Sequence, residues 1–251
     1  MTEPRELAEK AERYHSDDAP DRERFNGFGV MGLPFASGHI LGLRRFPASS
    51  IGPAYSSVWH RDPDGAWTFY SDVEPLQSCN RFFGAAVESF VRTEIAIKWT
   101  APNAFTVEIP GQLIWDVGLK PTAVTRLMNA IGAMMPESFW TNKRVLTAMG
   151  MMASTLLGAG KLRLYGRVPN GQSFIANPRL IWTIPSSRAL LAGKDLGMLG
   201  PVSQQATLGD FAIPQRGIFT FGNASFEPFD AARHSSAVSK SQAQAAPTES
   251  T

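Results

Sequence analysis

Acidic residues embedded in apolar, strand-forming stretches are the side chains of this sequence best suited to chemistry. Asp72 follows the aromatic run Trp67-Thr68-Phe69-Tyr70, and Asp116 lies within Leu113-Ile114-Trp115-Asp116-Val117. A carboxyl group desolvated among apolar side chains has a raised pKa and can act as a general acid, for instance by protonating an alkene or an enol. Asp72 and Asp116 are therefore the candidate general acids, and Tyr70 is a candidate hydrogen-bond partner for them.

The same acids also admit a simpler interpretation. Glu94 and Glu108 are embedded in apolar stretches in a similar way. Any one of these carboxylates can face water or neutralise a basic residue, which is the commoner state of a single acid in a folded protein. The basic residues available for this are Arg92, Lys98, Arg163 and Arg179.

A β-hairpin is predicted at residues 55–72, around the turn sequence Asp62-Pro63-Asp64-Gly65. If Arg61 pairs with Ala66, alternation places two groups of side chains on opposite faces. One face then carries Tyr55, Trp59, Tyr70 and Asp72, and the other carries Val58, His60, Trp67 and Phe69. A face of aromatic rings with one carboxylate is typical of a small-molecule cavity, which needs apolar walls and few polar groups.

Candidate substrate-binding residues come from this hairpin, from the strand that contains Asp116 and from a methionine-rich stretch. Trp59 is also assigned the stabilisation of positive charge through its ring. The predicted binding residues are Trp59, Tyr55, Trp115, Met128, Met149 and Met152.

Further strands are predicted on both sides of a helical middle. Apolar and β-branched runs occur at 39–46, 93–99, 105–109, 112–119, 161–168, 173–175 and 179–184, and a closing strand is predicted at about 218–221. The turn pattern Arg-x-Pro-Asp/Asn-Gly occurs at both 61–65 and 167–171, through a duplication or through a coincidence of hairpin chemistry. The predicted fold is mainly β (α+β), an antiparallel β-barrel or strongly curved sheet.

Residues 122–160 have helical spacing and are predicted to form an inserted pair of helices. Six of the nine methionines fall in this stretch. Methionine adapts to irregular apolar surfaces, so the pair can act as a flexible lid on an apolar pocket. The simpler alternative is that these residues only pack the helices on the sheet.

The two ends of the chain differ in composition from the middle. Residues 1–24 are rich in charge and are predicted to be a flexible arm, and residues 231–251 lack aromatic side chains and are predicted to be a disordered tail. A single β-rich domain is predicted at 25–230. The sequence contains no secretory signal and no transmembrane segment, which predicts a cytoplasmic protein.

Composition and motifs argue against several classes of function. With 24 basic and 22 acidic residues, the chain lacks the excess positive charge typical of nucleic-acid binding. Cys79 is the single cysteine, and a lone buried cysteine is more often inert than nucleophilic. His39 and His60 have no further ligand at metal-binding spacing, so no metal is expected. Gly27-Phe28-Gly29-Val30-Met31-Gly32 has dinucleotide-binding spacing but lacks the flanking strand and helix pattern. No cofactor is predicted.

In strand pattern, the hairpin Ser57-Val58-Trp59-His60-Arg61 to Trp67-Thr68-Phe69-Tyr70 and the block 166–182 resemble the lipocalin-like superfamily that includes carotenoid 1,2-hydratases and AttH-type proteins. The resemblance covers about 38–230 and contains no specific motif. Members are longer, two-barrel chains without the helical pair. The resemblance implies a lipocalin-like barrel that handles an isoprenoid or other lipid-like molecule, with acid-catalysed hydration, cyclisation or isomerisation.

The leading functional hypothesis is a cofactor-independent lyase or isomerase that acts on an apolar, isoprenoid-like substrate. The alternatives are a non-catalytic carrier of a hydrophobic small molecule and an interaction domain with a fully packed core. The predicted partner is a hydrophobic small molecule, and the sequence leaves the oligomeric state open.

Overall fold

Fourteen β-strands and four α-helices make up the part of the chain that the structure, a computed structural model, describes: residues 3–13 and 21–235. The strands are β1 (Glu23–Pro34), β2 (Ile40–Ser49), β3 (Tyr55–Arg61), β4 (Trp67–Ser71), β5 (Ser89–Arg92), β6 (Ala96–Ala101), β7 (Ala104–Ile109), β8 (Leu113–Lys120), β9 (Tyr165–Arg167), β10 (Ser173–Leu191), β11 (Lys194–Asp195), β12 (Thr207–Leu208), β13 (Phe211–Ala212) and β14 (Ile218–Phe226). The helices are α1 (Pro4–Ala11), α2 (Asn80–Phe83), α3 (Ala123–Met134) and α4 (Lys143–Leu157).

One large sheet organises the molecule, in the order β5-β4-β3-β2-β1-β14-β10-β8-β7-β6. Its neighbouring strands are antiparallel except for β4 and β5, which run parallel, so the sheet is mixed and the expectation of a purely antiparallel sheet is corrected. The strand predicted to close a barrel is β14. It lies at the centre of the sheet between β1 and β10, where it joins the strands from the two halves of the chain.

The sheet is strongly curled. The rings of Phe28 on β1 and Trp99 on β6 lie 6.5 Å apart, although the two strands are five steps apart in the sheet order. A flat sheet would separate them by about 24 Å at the usual strand spacing. We call the concave side, which carries Phe28, the inner face, and the opposite side the outer face.

Glycines allow the close approach of strands at the centre of this curl. A Cβ atom on Gly27 would lie 2.0 Å from the Arg45 carbonyl oxygen, and one on Gly222 would lie 2.1 Å from that of Asn177. Gly27 and Gly222 face each other in the β1–β14 register. The 27–32 glycine pattern therefore lies within a curved strand, where it allows close backbone packing.

The inner face is filled by a continuous apolar core. Its buried members include Phe28, Val58, Trp115, Trp182 and Phe219, from strands across the whole sheet. The outer face carries a second cluster, which includes Phe25, Tyr55, Trp59, Phe82 and Phe226. Helices α3 and α4 cover another part of the outer face, where Ala153 and Leu157 pack against Ile181 and Ile218.

Local sequence explains where the two long helices begin and end. Thr122 and Thr125 form a reciprocal cap at the start of α3, each hydroxyl accepting from the other residue's backbone N–H. The Asn142 side chain accepts from the N–H of Arg144 at the start of α4, and Gly158 ends that helix with φ of 58°. Both helices lie within the range 122–160 predicted to be helical.

The described residues include parts of the predicted arm (3–13 and 21–24) and of the predicted tail (231–235). In the arm, α1 packs Ala8 and Ala11 into the inner core, because they lie on the same helical face. At the start of the tail, the buried His234 contacts Glu227, with 2.7 Å between Nε2 and Oε1. The rest of the predicted arm (1–2 and 14–20) and tail (236–251) lies outside the described residues.

Candidate active and ligand-binding cavity

An apolar cavity of about 370 Å³ lies on the outer face. Its floor is formed by strands β1, β2, β3, β10 and β14, and helices α2, α3 and α4 line its sides. Alternation along the strands decides which side chains reach it: Ile218 and Thr220 on β14 line the cavity, whereas Phe219 and Phe221 between and beyond them belong to the inner core. The volume is in the range of small-molecule sites.

Five of the predicted site residues line this cavity. Tyr55 and Trp59 come from β3, Met128 comes from α3, and Met149 and Met152 come from α4. The structure thus places the aromatic hairpin and the methionine-rich helices around the same space. The helical pair packs on the sheet and also borders a cavity, so it has features of both interpretations considered from the sequence.

The other predicted site residues lie elsewhere. Tyr70 and Trp115 are buried in the inner core, and the Trp115 indole Nε1–H donates to Ser187 Oγ at 2.9 Å. Both Asp72 oxygens accept from the backbone N–H of Ser56, at 2.8 and 3.1 Å. Asp116 is exposed and accepts from the Thr106 hydroxyl at 2.6 Å.

A one-residue difference in hairpin register explains why Tyr70 and Asp72 do not accompany Trp59. Arg61 pairs with Trp67 rather than with Ala66, so Trp59 lies opposite Phe69, and Val58 lies opposite Tyr70. The turn takes one more residue, Ala66, from the second strand than the sequence predicted. Within this turn the backbone N–H of Asp62 donates to the Ala66 carbonyl. A shift of one residue moves every side chain of a strand to the other face.

No aspartate or glutamate side chain lines the cavity among the described residues. Glu108 instead forms an ion pair with Lys98, as the simpler interpretation of the embedded acids expects. The charged groups that do line the cavity are arginines: Arg44, Arg163 and Arg179. Arg163 pairs with Asp210 and Arg179 with Glu137, which leaves Arg44 without a carboxylate partner in the described part of the chain.

Arg44 is the main site residue that sequence reasoning missed. Its side chain is only 5% exposed. The guanidinium donates to the backbone carbonyls of Val30, Leu43 (2.8 Å) and Met31 (3.3 Å). It also lies 4.3 Å from the ring centroid of Trp59, within the range of a cation–π interaction.

The sequence contained only part of the signal for Arg44, and the structural pairing of Arg45 with Glu12 supplies the rest. Arg44 and Arg45 are consecutive in β2, and consecutive strand residues point to opposite faces. Arg45 pairs with Glu12 beside the inner face, so Arg44 must point into the apolar outer face.

Burial shifts the pKa values of the groups around Arg44. Desolvation lowers the pKa of Arg44 to about 10, so the guanidinium stays charged at neutral pH. Burial raises the pKa of Tyr55 well above its usual range and also raises the pKa of the Cys79 thiol. Tyr55 and Cys79 hydrogen-bond to each other, with 3.4 Å between oxygen and sulfur, so both remain protonated next to a fixed positive charge.

Two further donors line the cavity. Trp59 and Trp140 are 1% exposed, and neither indole N–H makes a hydrogen bond of regular geometry within residues 3–13 and 21–235, although Trp59 lies beside the Cys79 thiol. Buried donors without acceptors are uncommon and costly in folded proteins. The two indole N–H groups are thus buried donors in the wall of the cavity, and neither nitrogen has accessible surface.

The mouth of the cavity lies between α3 and α4. Four residues that line the cavity are also well exposed to solvent: Leu127 (60%), Ile131 (45%), Met152 (49%) and Leu156 (47%). Arg44, Tyr55 and Cys79 are buried in the interior. The cavity thus has an apolar, methionine-containing entrance and a buried cationic end.

A histidine pair outside the cavity was also missed. His39 Nδ1 and His60 Nε2 lie 2.9 Å apart, and the rings are stacked. Strand pairing brings these residues together, although neither has a ligand partner close in sequence. No group of three histidine, cysteine or acidic side chains among the described residues is arranged to hold a metal ion.

None of the described helices has the length and apolar character needed to cross a lipid bilayer.

Comparisons with known proteins give little further information. No family model matches the chain, and no curated protein matches it. A solved structure, that of acetoacetate decarboxylase from Legionella pneumophila subsp. pneumophila str. Philadelphia 1, matches at 10% identity with a TM-score of 0.34, covering 83% of each chain. A likeness of this size supports no argument about activity. None of the comparisons supports the predicted resemblance to carotenoid 1,2-hydratases and AttH-type proteins.

Proposed function

We propose that this protein binds an apolar small molecule in the outer-face cavity and carries it unchanged. The observation that supports this proposal best is the cavity itself, with an apolar mouth at Leu127 and Met152 and a buried interior. The absence of acidic side chains from the cavity, among the described residues, favours binding over general acid catalysis by a carboxylate.

The second candidate is the cofactor-independent lyase or isomerase predicted from the sequence. The observation that favours it is Tyr55, a buried phenol that keeps its proton and lines the cavity. Two of its other features have less support, because Asp72 and Asp116 do not line the cavity and because the Trp59 ring is already in contact with Arg44. An isoprenoid-like ligand suits either candidate.

Binding can be tested with the neutral fluorophore N-phenyl-1-naphthylamine and a matched pair of variants. Met149→Trp enlarges a side chain that lines the cavity, whereas Met151→Trp makes the same change at an exposed position of the same helix. We expect the first variant to weaken probe binding by tenfold or more and the second to bind like the wild type. A wild type that does not bind the probe, or equal effects of both variants, would contradict the proposal.

Carrier and enzyme are separated by the fate of the ligand. Mass spectrometry of the protein under non-denaturing conditions, followed by extraction, should show a co-purified apolar molecule whose mass stays the same after prolonged incubation. Conversion of that molecule into a product by the wild type, and loss of the conversion in Tyr55→Phe, would favour the enzyme.

A further inference from the structure

The buried end of the cavity carries one cationic group, the guanidinium of Arg44, and no carboxylate among the described residues. Arg44 carries a positive charge, and its guanidinium carbon lies 4.3 Å from the ring centroid of Trp59, which also lines the cavity. An uncharged hydrocarbon would leave this buried charge without a counter-charge, which is costly in a desolvated site. The complementary ligand group is an acceptor, and a negatively charged one fits best.

The guanidinium of Arg44 keeps part of its donor capacity free. Of its five N–H groups, two on Nη1 and one on Nη2 donate to backbone carbonyls. The Nε–H and the remaining Nη2–H have no acceptor in the described parts of the chain. Nε and Nη2 lie on the same edge of the planar group, an arrangement that can receive both oxygens of a carboxylate.

The three backbone carbonyls hold Arg44 in place but do not neutralise it. They are dipoles of neutral peptide groups, so the site keeps one net positive charge after these bonds are made. The other cationic side chains of the cavity, Arg163 and Arg179, already have carboxylate partners from the protein. Arg44 is therefore the position where a ligand can supply the missing negative charge.

We infer that the ligand is an amphipathic monoanion whose carboxylate pairs with Arg44 and whose apolar chain extends towards the mouth between α3 and α4. This inference rests on the proposed binding function and adds the ligand class to it. It explains why a cavity with an apolar mouth at Met152 and Leu156 ends at a buried cation.

The wild type tests the inference without any substitution. Calorimetric titration with decanoate, methyl decanoate and decanol compares one chain length with a charged and two neutral ends. We expect decanoate to bind at least about tenfold more tightly than the two neutral probes, as for a charge-assisted hydrogen bond in a desolvated site. If all three bind equally, the inference is wrong and the proposed function stands; if none binds, both fail for this class of ligand.

Substitutions of two neighbouring arginines test whether the preference for decanoate depends on Arg44. Arg44→Met should weaken decanoate binding by roughly ten- to a hundredfold and leave methyl decanoate unchanged, and Arg44→Lys should retain part of the preference. Arg45→Met is the control, because Arg45 lies on the other side of β2 and pairs with Glu12 outside the cavity. Equal losses in Arg44→Met and Arg45→Met, or equal losses for the acid and the ester, would overturn the assignment. If Arg44→Met does not fold, the three-probe comparison in the wild type decides.

Discussion

The two faces of the curled sheet are both aromatic, yet they are packed differently. On the inner face, Phe219 contacts the rings of Phe28, Phe105 and Trp182 at centroid distances of 6.0, 5.6 and 6.2 Å. On the outer face, aromatic rings such as Trp59 and Phe69 stack equally closely, but the helices stand over a cavity of about 370 Å³. Curling explains the difference, since the concave side is filled mainly by its own strands together with the short helix α1, whereas the convex side needs larger covering elements.

The two faces also differ in the charge state of their buried basic side chains. Desolvation and the neighbouring His39 lower the pKa of His60 to about 4, so the histidine at the inner side of β3 is neutral at physiological pH. On the outer face, Arg44 remains charged although it is buried. A histidine gives up its proton readily, whereas an arginine does not. The charge beside the cavity is therefore permanent, as a binding role for Arg44 requires.

Truncation of a large side chain on each face should give the largest difference in the free energy of unfolding. Phe219→Ala should lower the free energy of unfolding by about 3–5 kcal/mol, because it leaves a hole at the centre of a filled core. Met149→Ala, beside an existing cavity, should cost less than about 2 kcal/mol. Urea denaturation of both variants measures this difference. Equal costs would show that the outer face is as fully packed as the inner face.

Acid should destabilise the protein through His60. The unfolded chain takes up a proton near pH 6.5, whereas the folded chain does so only at about 4, so stability is fully present above pH 6.5 and is lost as the pH falls towards 4. Between pH 7.5 and 5 we expect a loss of about 2 kcal/mol from this group. Denaturation curves at the two pH values should show a smaller loss in His60→Gln. The same pH dependence in both proteins would exclude His60 as its source.

Local sequence signals predicted the elements of the fold better than their pairing. Turns at 61–65 and 167–171 share a glycine with positive φ, 101° at Gly65 and 96° at Gly171, as their common sequence pattern indicates. The reciprocal cap at Thr122 and the stop at Gly158 are equally local. The hairpin register was wrong by one residue, because alternation does not specify how many residues the turn takes from each strand.

The chemistry of the site depended on contacts that are distant in sequence. Asp72 is next to an aromatic run, but its partner is the backbone of Ser56 on the neighbouring strand. Arg44 became a cavity residue because β1 supplies carbonyls to hold it and β3 supplies the Trp59 ring. Composition and periodicity predicted an apolar pocket with methionines; which charged group reached it depended on strand order and register.

The smallest expected effects distinguish the two helices that cover the outer face. A Cβ atom on Gly150 of α4 would lie 2.7 Å from the Leu162 carbonyl oxygen, whereas one on Gly132 of α3 would meet no heavy atom closer than 3.6 Å. Gly150→Ala should therefore destabilise the protein by about 1–2 kcal/mol through overpacking. Gly132→Ala should stabilise it by roughly 0.5–1 kcal/mol, because alanine favours the helix and has room beside Trp140. Thermal unfolding of both variants compares the two positions. Stability changes of opposite sign would mean that α4 is packed tightly on the chain beneath it while α3 stands over open space. A destabilising Gly132→Ala would mean that α3 is packed as closely as α4.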